Sequence, residues 1–180
     1  MHYSKKELIK EFNKGKKQKW LFFWGHQKGK TITASCLSQW YGSSFKKDGI
    51  TYPTAEHWMM AEKARLFKDE DMLQKIIKSK SPGEAKKLGR KVKGFKNDVW
   101  LNHRYEIVKQ GNLLKFAQNP SLKDFLINTK KRVLVEASPV DQIWGIGLAA
   151  DDDRSKNPLQ WKGDNLLGFA LMEVRDELNI

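Results

Sequence analysis

The feature that most constrains this chain is the succession of helix-start signals that follows Pro53. Thr54 is a good N-cap, with Pro53 ahead of it to fix the chain's entry, and its helix is predicted to run to about Phe67. Asp69 can cap a second helix with Met72, Leu73, Ile76 and Ile77 on one face. Ser81-Pro82-Gly83-Glu84 combines a capping box with Pro at the first helical position, and that short helix closes near Gly89. Residues 97–118 read as the longest helix, with Trp100, Ile107 and Leu114 seven apart. Ser121 caps another through Asn128, and Asp164 can cap a last one with Leu167, Leu171, Val174 and Leu178 on its inner face. Residues 4–13, with Leu8, Ile9 and Phe12 at helical spacing, predict a short amphipathic helix at the start.

Extended segments are fewer. Leu21-Phe22-Phe23-Trp24 reads as a buried strand, Cys36–Tyr41 and Ser44-Phe45 as short extended pieces, and Val133–Ala137 as a central strand. Asp48-Gly49 is a hairpin signal between Phe45 and Ile50-Thr51-Tyr52. The prediction is an α+β fold, predominantly helical, with a small β-sheet. Residues 145–163 lack any periodic pattern, and a loop that long in a compact domain is often functional.

A chain of 180 residues can bury one real core. Its formal net charge of +13 favours anionic partners, either phosphorylated small molecules or nucleic acid. Part of that charge is concentrated in a basic N-terminal extension, residues 1–19, holding Lys5, Lys6, Lys10, Lys14, Lys16, Lys17 and Lys19. Seven Trp give flat surfaces for packing or for stacking on bases. Cys36 is the only cysteine, so no intrachain disulfide forms and a reducing, cytoplasmic setting is expected. No stretch approaches the length of a membrane span, and no membrane partner is expected. Four His and one Cys without paired spacing argue against a structural zinc site, so neither a metal nor a cofactor is expected. The P-loop, the dinucleotide-binding G-x-G-x-x-G, H-E-x-x-H and G-x-S-x-G are all missing, which removes the main support for kinase, dehydrogenase and α/β-hydrolase readings.

Four constellations can carry chemistry. In Tyr52-Pro53-Thr54-Ala55-Glu56-His57-Trp58, a cap at Thr54 puts Glu56 in the first helical turn, where the helix dipole favours its charge. Lys63 follows on the same face, roughly 10 Å along the axis. The alternative is that Glu56 only decorates the helix start, and His57 reads as a packed or capping residue. The second segment, Glu136 to Gly147, runs from a strand into a turn with Asp141, Trp144, Gly145 and Gly147. A carboxylate beside backbone that a ligand can approach closely resembles a site, or else Asp141 simply caps a loop. Third, Gly163-Asp164-Asn165 precedes a helix whose free N–H groups can bind phosphate, unless Gly168 is there only for packing. Last, Arg90 at the end of Lys86-Lys87-Leu88-Gly89 either forks onto a phosphate or complements a helix C-terminus.

Taken in order, these pieces resemble the NADAR family, also called YbiA-like or DUF1768. The likeness runs from about Phe22 to Leu178 through Phe23-Trp24, Leu37–Tyr41, Tyr52–His57, Lys63-Ala64 and Lys87–Arg90. It continues through Trp100, Lys115-Phe116, Leu134–Pro139, Asp141 with Trp144–Gly147, Gly163–Gly168 and Leu171–Arg175. The resemblance implies a single YbiA-like domain over residues 20–180 with N-glycosidase activity. It implies substrates of two kinds: ADP-ribosylated guanine in nucleic acid, or phosphoribosylaminopyrimidine intermediates of riboflavin synthesis. A third reading is a non-catalytic module that binds ADP-ribose or a nucleotide.

Carried over residue by residue, the resemblance marks Glu56, Lys63, Trp100 and Asp141 as active-site positions and Arg90, Trp144 and Asn165 as ligand contacts. Gly145 and Gly147 join them as close-approach backbone. Where the family has Ser-Asn before an aromatic, this chain has Ser38-Gln39-Trp40, so a substrate contact at Gln39 and Trp40 is displaced by one methylene. Breaking a ribosyl C–N bond builds positive charge on the sugar, which a carboxylate stabilises, and a carboxylate can also activate water. Glu56 and Asp141 suit those roles in either order. Lys63 suits attack on a ring-opened C1′ aldehyde, or holding a phosphate or 2′-hydroxyl. Trp100 suits stacking on the leaving base, worth roughly 1–3 kcal/mol. The oligomeric state stays open.

Overall fold

A computed structural model describes residues 2–179. The chain groups into two compact units, one made of the chain up to Ser38 and from Ser121 onward, the other of Gln39–Pro120.

The Gln39–Pro120 unit is built around a helix. A hairpin leads into it: β2 (Phe45–Lys47) pairs antiparallel with β3 (Ile50–Tyr52), closed by Asp48 and Gly49, both at positive φ as a tight hairpin turn demands. Helix α2 (Ala55–Leu66) starts where Thr54 Oγ1 accepts the His57 N–H, and it is buried along most of its length. Around it pack α3 (Glu70–Ile77), α4 (Pro82–Gly89) and α5 (Asn97–Ala117). Asp69 and Ser81 cap α3 and α4 as predicted, and the carboxylate of Glu84 reaches back to the Lys80 N–H at 2.7 Å.

Helix α5 differs from expectation in the face it buries. Trp100, Ile107 and Leu114 are only half-buried, while Val108, Gly111, Asn112, Lys115 and Phe116 are buried. The bare backbone of Gly111 is the reason. A Cβ there would come within 2.3 Å of the Trp58 ring, whose Nε1–H donates to the Ile107 carbonyl at 2.9 Å. An aromatic side chain from α2 thus fills the groove that an apolar stripe on α5 would otherwise fill.

The other unit begins with α1 (Lys5–Asn13), capped by Ser4. The basic N-terminal segment is bonded into this unit: Lys5 Nζ donates to the carbonyls of Trp161 and Gly163 at 2.8 and 3.1 Å, and Tyr3 Oη donates to Asp176 at 2.7 Å. Strand β1 (Trp20–Phe23) pairs in parallel with β4 (Val133–Glu136), Phe23 facing Glu136. Two predictions change here. Phe23 alone in β1 is buried and Trp24 is 60% exposed; among the described residues β4 is one of two strands in its sheet rather than central, its burial coming from α7 (Leu166–Leu178) packed on it. The piece predicted extended at Cys36 is a 3-10 turn over Ala34–Leu37, opened by Thr33. Helix α6 (Pro120–Ile127) starts before Ser121, with Pro at its first position. Two further 3-10 turns, Asp153–Lys156 and Pro158–Gln160, give order to the patternless 145–163 stretch. Among the described residues no helix is long and apolar enough to cross a membrane.

Candidate active site

In the Gln39–Pro120 unit, the first turn of α2 places Glu56 inside the protein, 3% exposed. Its backbone N–H donates to the Gln39 carbonyl at 3.0 Å, which ties the predicted contact residue to the predicted carboxylate. The Gln39 side chain is turned to α5: its Oε1 accepts from Asn112 Nδ2 at 2.7 Å, and Asn112 also donates to the Val108 carbonyl. Trp40 packs towards α4, with Lys86 Nζ 5.8 Å from its ring centroid. His57 is held on both ring nitrogens, Nδ1 by Thr54 Oγ1 at 2.7 Å and Nε2 by the Ser79 carbonyl at 3.2 Å. That pattern makes Nε2 the protonated nitrogen and fixes His57 as the anchor of the helix start.

Two turns further along α2, Lys63 stands in an aromatic corner. Its Nζ lies 4.3 Å from the centroid of Phe95 and 5.4 Å from that of Trp100. Burial lowers the Lys63 pKa below its ordinary value, and the nearby positive charge of Arg90 lowers it further. Arg90 is the C-cap residue of α4, and from there its charge acts on Lys63. Lys63, Arg90 and Trp100 are therefore brought together, in surroundings that disfavour the ammonium form of Lys63.

In the other unit, the Asp141 to Gly147 segment and the residues before α7 form one laced structure. Asp141 Oδ1 accepts the N–H groups of Ile143 and Trp144 at 2.8 and 2.7 Å, and its carbonyl accepts that of Gly147 at 3.0 Å. The N–H groups of Asp164, Asn165, Leu166 and Leu167 donate to the carbonyls of Gln142, Gly145, Ile143 and Trp144. This corrects the phosphate-site reading of the α7 N-terminus, because the amides at that helix start are already bonded to the facing loop. It also corrects the capping residue. Asn165, not Asp164, sits at the N-cap, in the left-handed region at φ 55°.

Asn165 is fully buried; its Oδ1 accepts the Glu136 N–H and its Nδ2 donates to the Leu134 carbonyl, both at 2.9 Å. Its amide is committed to β4, so it shapes the loop from within. Gly145 and Gly147 are buried too, and the chain's own atoms occupy the space beside them. A Cβ on Gly145 would meet the Glu136 carbonyl oxygen at 2.8 Å, and one on Gly147 the Lys162 Cβ at 2.9 Å. A cavity of about 930 Å³ in this unit, lined in part by Leu8, Lys131, Phe169, Met172 and Arg175, includes none of the expected site residues.

Sequence reasoning passed over Phe95, a loop aromatic with no periodicity to mark it, and Asn112, whose polar side chain on a buried helix face was the only signal. Among the described residues no cluster of His, Cys, Asp and Glu could hold a metal ion.

Comparison with known proteins gives this geometry its family. Residues 22–179 match the NADAR domain. An N-glycosidase of Acanthamoeba polyphaga mimivirus is 41% identical over 164 residues, spanning 88% of this chain and 96% of the viral protein. The N-glycosidase YbiA of Escherichia coli is 33% identical over 135 residues, 75% of this chain and 76% of that protein. The riboflavin biosynthesis protein PYRR of Zea mays is 35% identical over 138 residues, which are 73% of this chain but 20% of the maize protein. The NMR structure of Escherichia coli YbiA superposes with a TM-score of 0.72 at 27% identity, covering 90% of this chain and 86% of that one. The chain belongs to the NADAR family and is a hydrolase of its N-glycosidase kind.

Proposed function

We propose that this N-glycosidase hydrolyses the C–N ribosyl bond of ADP-ribosylated guanine in nucleic acid, and of related ADP-ribose or ribose-phosphate N-glycosides. The observation that carries this reading is the corner formed by Lys63, Arg90 and Trp100. It offers two cationic groups for the phosphate and hydroxyl groups of a ribosyl phosphate, and a flat ring for a base. The net charge of +13 favours a polyanionic carrier of the modified base. The lone, buried Cys36 accords with a cytoplasmic setting.

In this reading a carboxylate, Glu56 in the one unit or Asp141 in the other, serves the reaction: it stabilises the positive charge that grows on the ribose ring as the C1′–N bond breaks, or takes a proton from the attacking water. The electron pair of the broken bond stays with the base nitrogen, which picks up a proton, and hydroxide completes C1′. A second route uses the Lys63 amine. It adds to C1′ of the ring-opened sugar, the base departs with a proton, and water hydrolyses the resulting imine to free Lys63. The lowered pKa of Lys63 suits that role.

The likeness to the maize riboflavin protein favours a second substrate, a phosphoribosylaminopyrimidine, with the same bond broken. Both substrates offered side by side, with products read by mass spectrometry, separate the two. Release of guanine from an ADP-ribosylated oligonucleotide, with binding that weakens steeply as salt rises, supports the first reading. Turnover of the pyrimidine compound alone selects the second. In either case E56Q is expected to lower kcat by about 10²-fold or more while leaving the fold intact. Unchanged product formation in E56Q removes Glu56 from the chemistry.

A further inference from the structure

Phe95 lies in the loop between α4 and α5, directly after Gly94 at φ 68°. A large aromatic that is 43% exposed on a loop contributes little to a core, so its surroundings call for an explanation. Three observations bear on it. Its ring centroid is 4.3 Å from Lys63 Nζ, closer than that of Trp100 at 5.4 Å. Phe67, the C-cap residue of α2, holds the ring in place, centroid to centroid at 5.3 Å and tilted by 58°. The loop itself is tethered, since the Lys93 N–H donates to Asp69 at the start of α3 at 2.8 Å.

A lysine side chain has four rotatable bonds, and ordering it costs rotamer entropy. Two rings gripping the end of the Lys63 chain supply that order. They also strip water from the amine, which disfavours its ammonium form. We propose that Phe95 is a positioning residue for Lys63: it packs over Nζ, fixes the amine beside Trp100 and Arg90, and keeps it dry. The inference rests on the functional reading of Lys63 given above.

The charges around Lys63 leave this role to Phe95. Arg90, from the end of α4, opposes the ammonium. On α2, Glu62 is engaged by Arg65, which also donates to Tyr52 Oη on β3. Asp69, at the start of α3, accepts the N–H groups of Met72 and Lys93. From α5 comes the Trp100 ring, and Asp98 in its first turn is exposed to solvent. Burial, with the charge of Arg90 beside it, lowers the Lys63 pKa.

The test measures Lys63 directly and then its chemistry. NMR titration of 13C-labelled lysines in the full chain, with K63R to assign the signal, reads its pKa in the parent, F95A and F95L. F95A admits water, so Lys63 is expected to titrate at higher pH than in the parent, while F95L, which still covers the amine, stays near the parent. With whichever of the two N-glycosides is turned over, the acid limb of the kcat profile in F95A moves to higher pH. At neutral pH its rate falls by about tenfold or more, and F95Y restores it. An unchanged Lys63 titration in F95A that retains the parent's thermal midpoint overturns the proposal. Should F95A lose stability, F95L and F95Y carry the test, and a Lys63 titration in F95L displaced as far as in F95A is equally fatal. Full turnover by K63R is a separate result: it removes Lys63 from the chemistry, whatever the titration shows about Phe95.

Discussion

Asn165 Oδ1 accepts the backbone N–H of Glu136 at 2.9 Å, and the same amide gives its own N–H to Leu134, two residues back along β4. One side chain thus replaces a strand neighbour that the two-stranded sheet lacks on that side. Replacing it with Ala leaves a donor and an acceptor of β4 buried and unpaired, at about 1–3 kcal/mol for each group. N165A is expected to lower unfolding stability in urea by roughly 2–4 kcal/mol with little change in m. N165D keeps the acceptor but sets a carboxylate against the Leu134 carbonyl, and it should fare no better. A loss under about 0.5 kcal/mol in N165A, the scale of an ordinary surface change, would show that the clamp is incidental.

Acid should weaken the start of α2 through His57. Burial lowers its pKa below the ordinary 6.5. The unfolded chain therefore takes up this proton more readily than the folded one, so the stabilising contribution is complete above about pH 6.5 and is lost as pH falls through and below that value. Asp69, held low mainly by the Lys93 N–H, and Asp152, at about 2 because of Arg154, stay ionised well below this window. The measurement is the thermal midpoint between pH 7.5 and pH 5.5 in the parent and in H57Q. The parent is expected to lose stability on acidification, with a shallower slope in H57Q. Identical slopes would mean that His57 is not the group responsible.

What the sequence revealed and what it hid divide by range. Thr54, Asp69 and Ser81 cap their helices as predicted because a cap is a contact three residues long, and Asp48-Gly49 closes its hairpin for the same reason. The cap of α7 was missed by one residue because a contact 29 residues away decides it: β4 recruits Asn165, which then enters the left-handed region. The buried face of α5 departs from the apolar pattern because it carries Gly111 and Asn112, whose place is set by Trp58 and Gln39, and Lys115, whose amine lies over the Tyr41 ring. For the candidate site, spacing could place Glu56 and Lys63 on one face of α2. It could not supply Arg90 and Phe95, which reach Lys63 from the two ends of the loop joining α4 to α5.

Asp141 has two jobs open to it, and a pair of substitutions separates them. Its Oδ1 accepts two N–H groups of its own turn, which any residue with a short side-chain oxygen can do. D141N keeps an oxygen for the Ile143 and Trp144 amides and removes only the charge, whereas D141A removes both. If the carboxylate serves the reaction, D141N and D141A lose kcat alike, by about 10²-fold, although D141N melts close to the parent. If Asp141 serves only the turn, D141N turns over like the parent, and D141A shows its defect first in KM, as the laced loop loosens and the residues before α7 lose their fixed partners. Steady-state kinetics on both variants, each paired with a melting curve, decide the matter. Parent-like kcat in D141N takes Asp141 out of the chemistry and leaves Glu56 as the carboxylate assigned to the C–N bond.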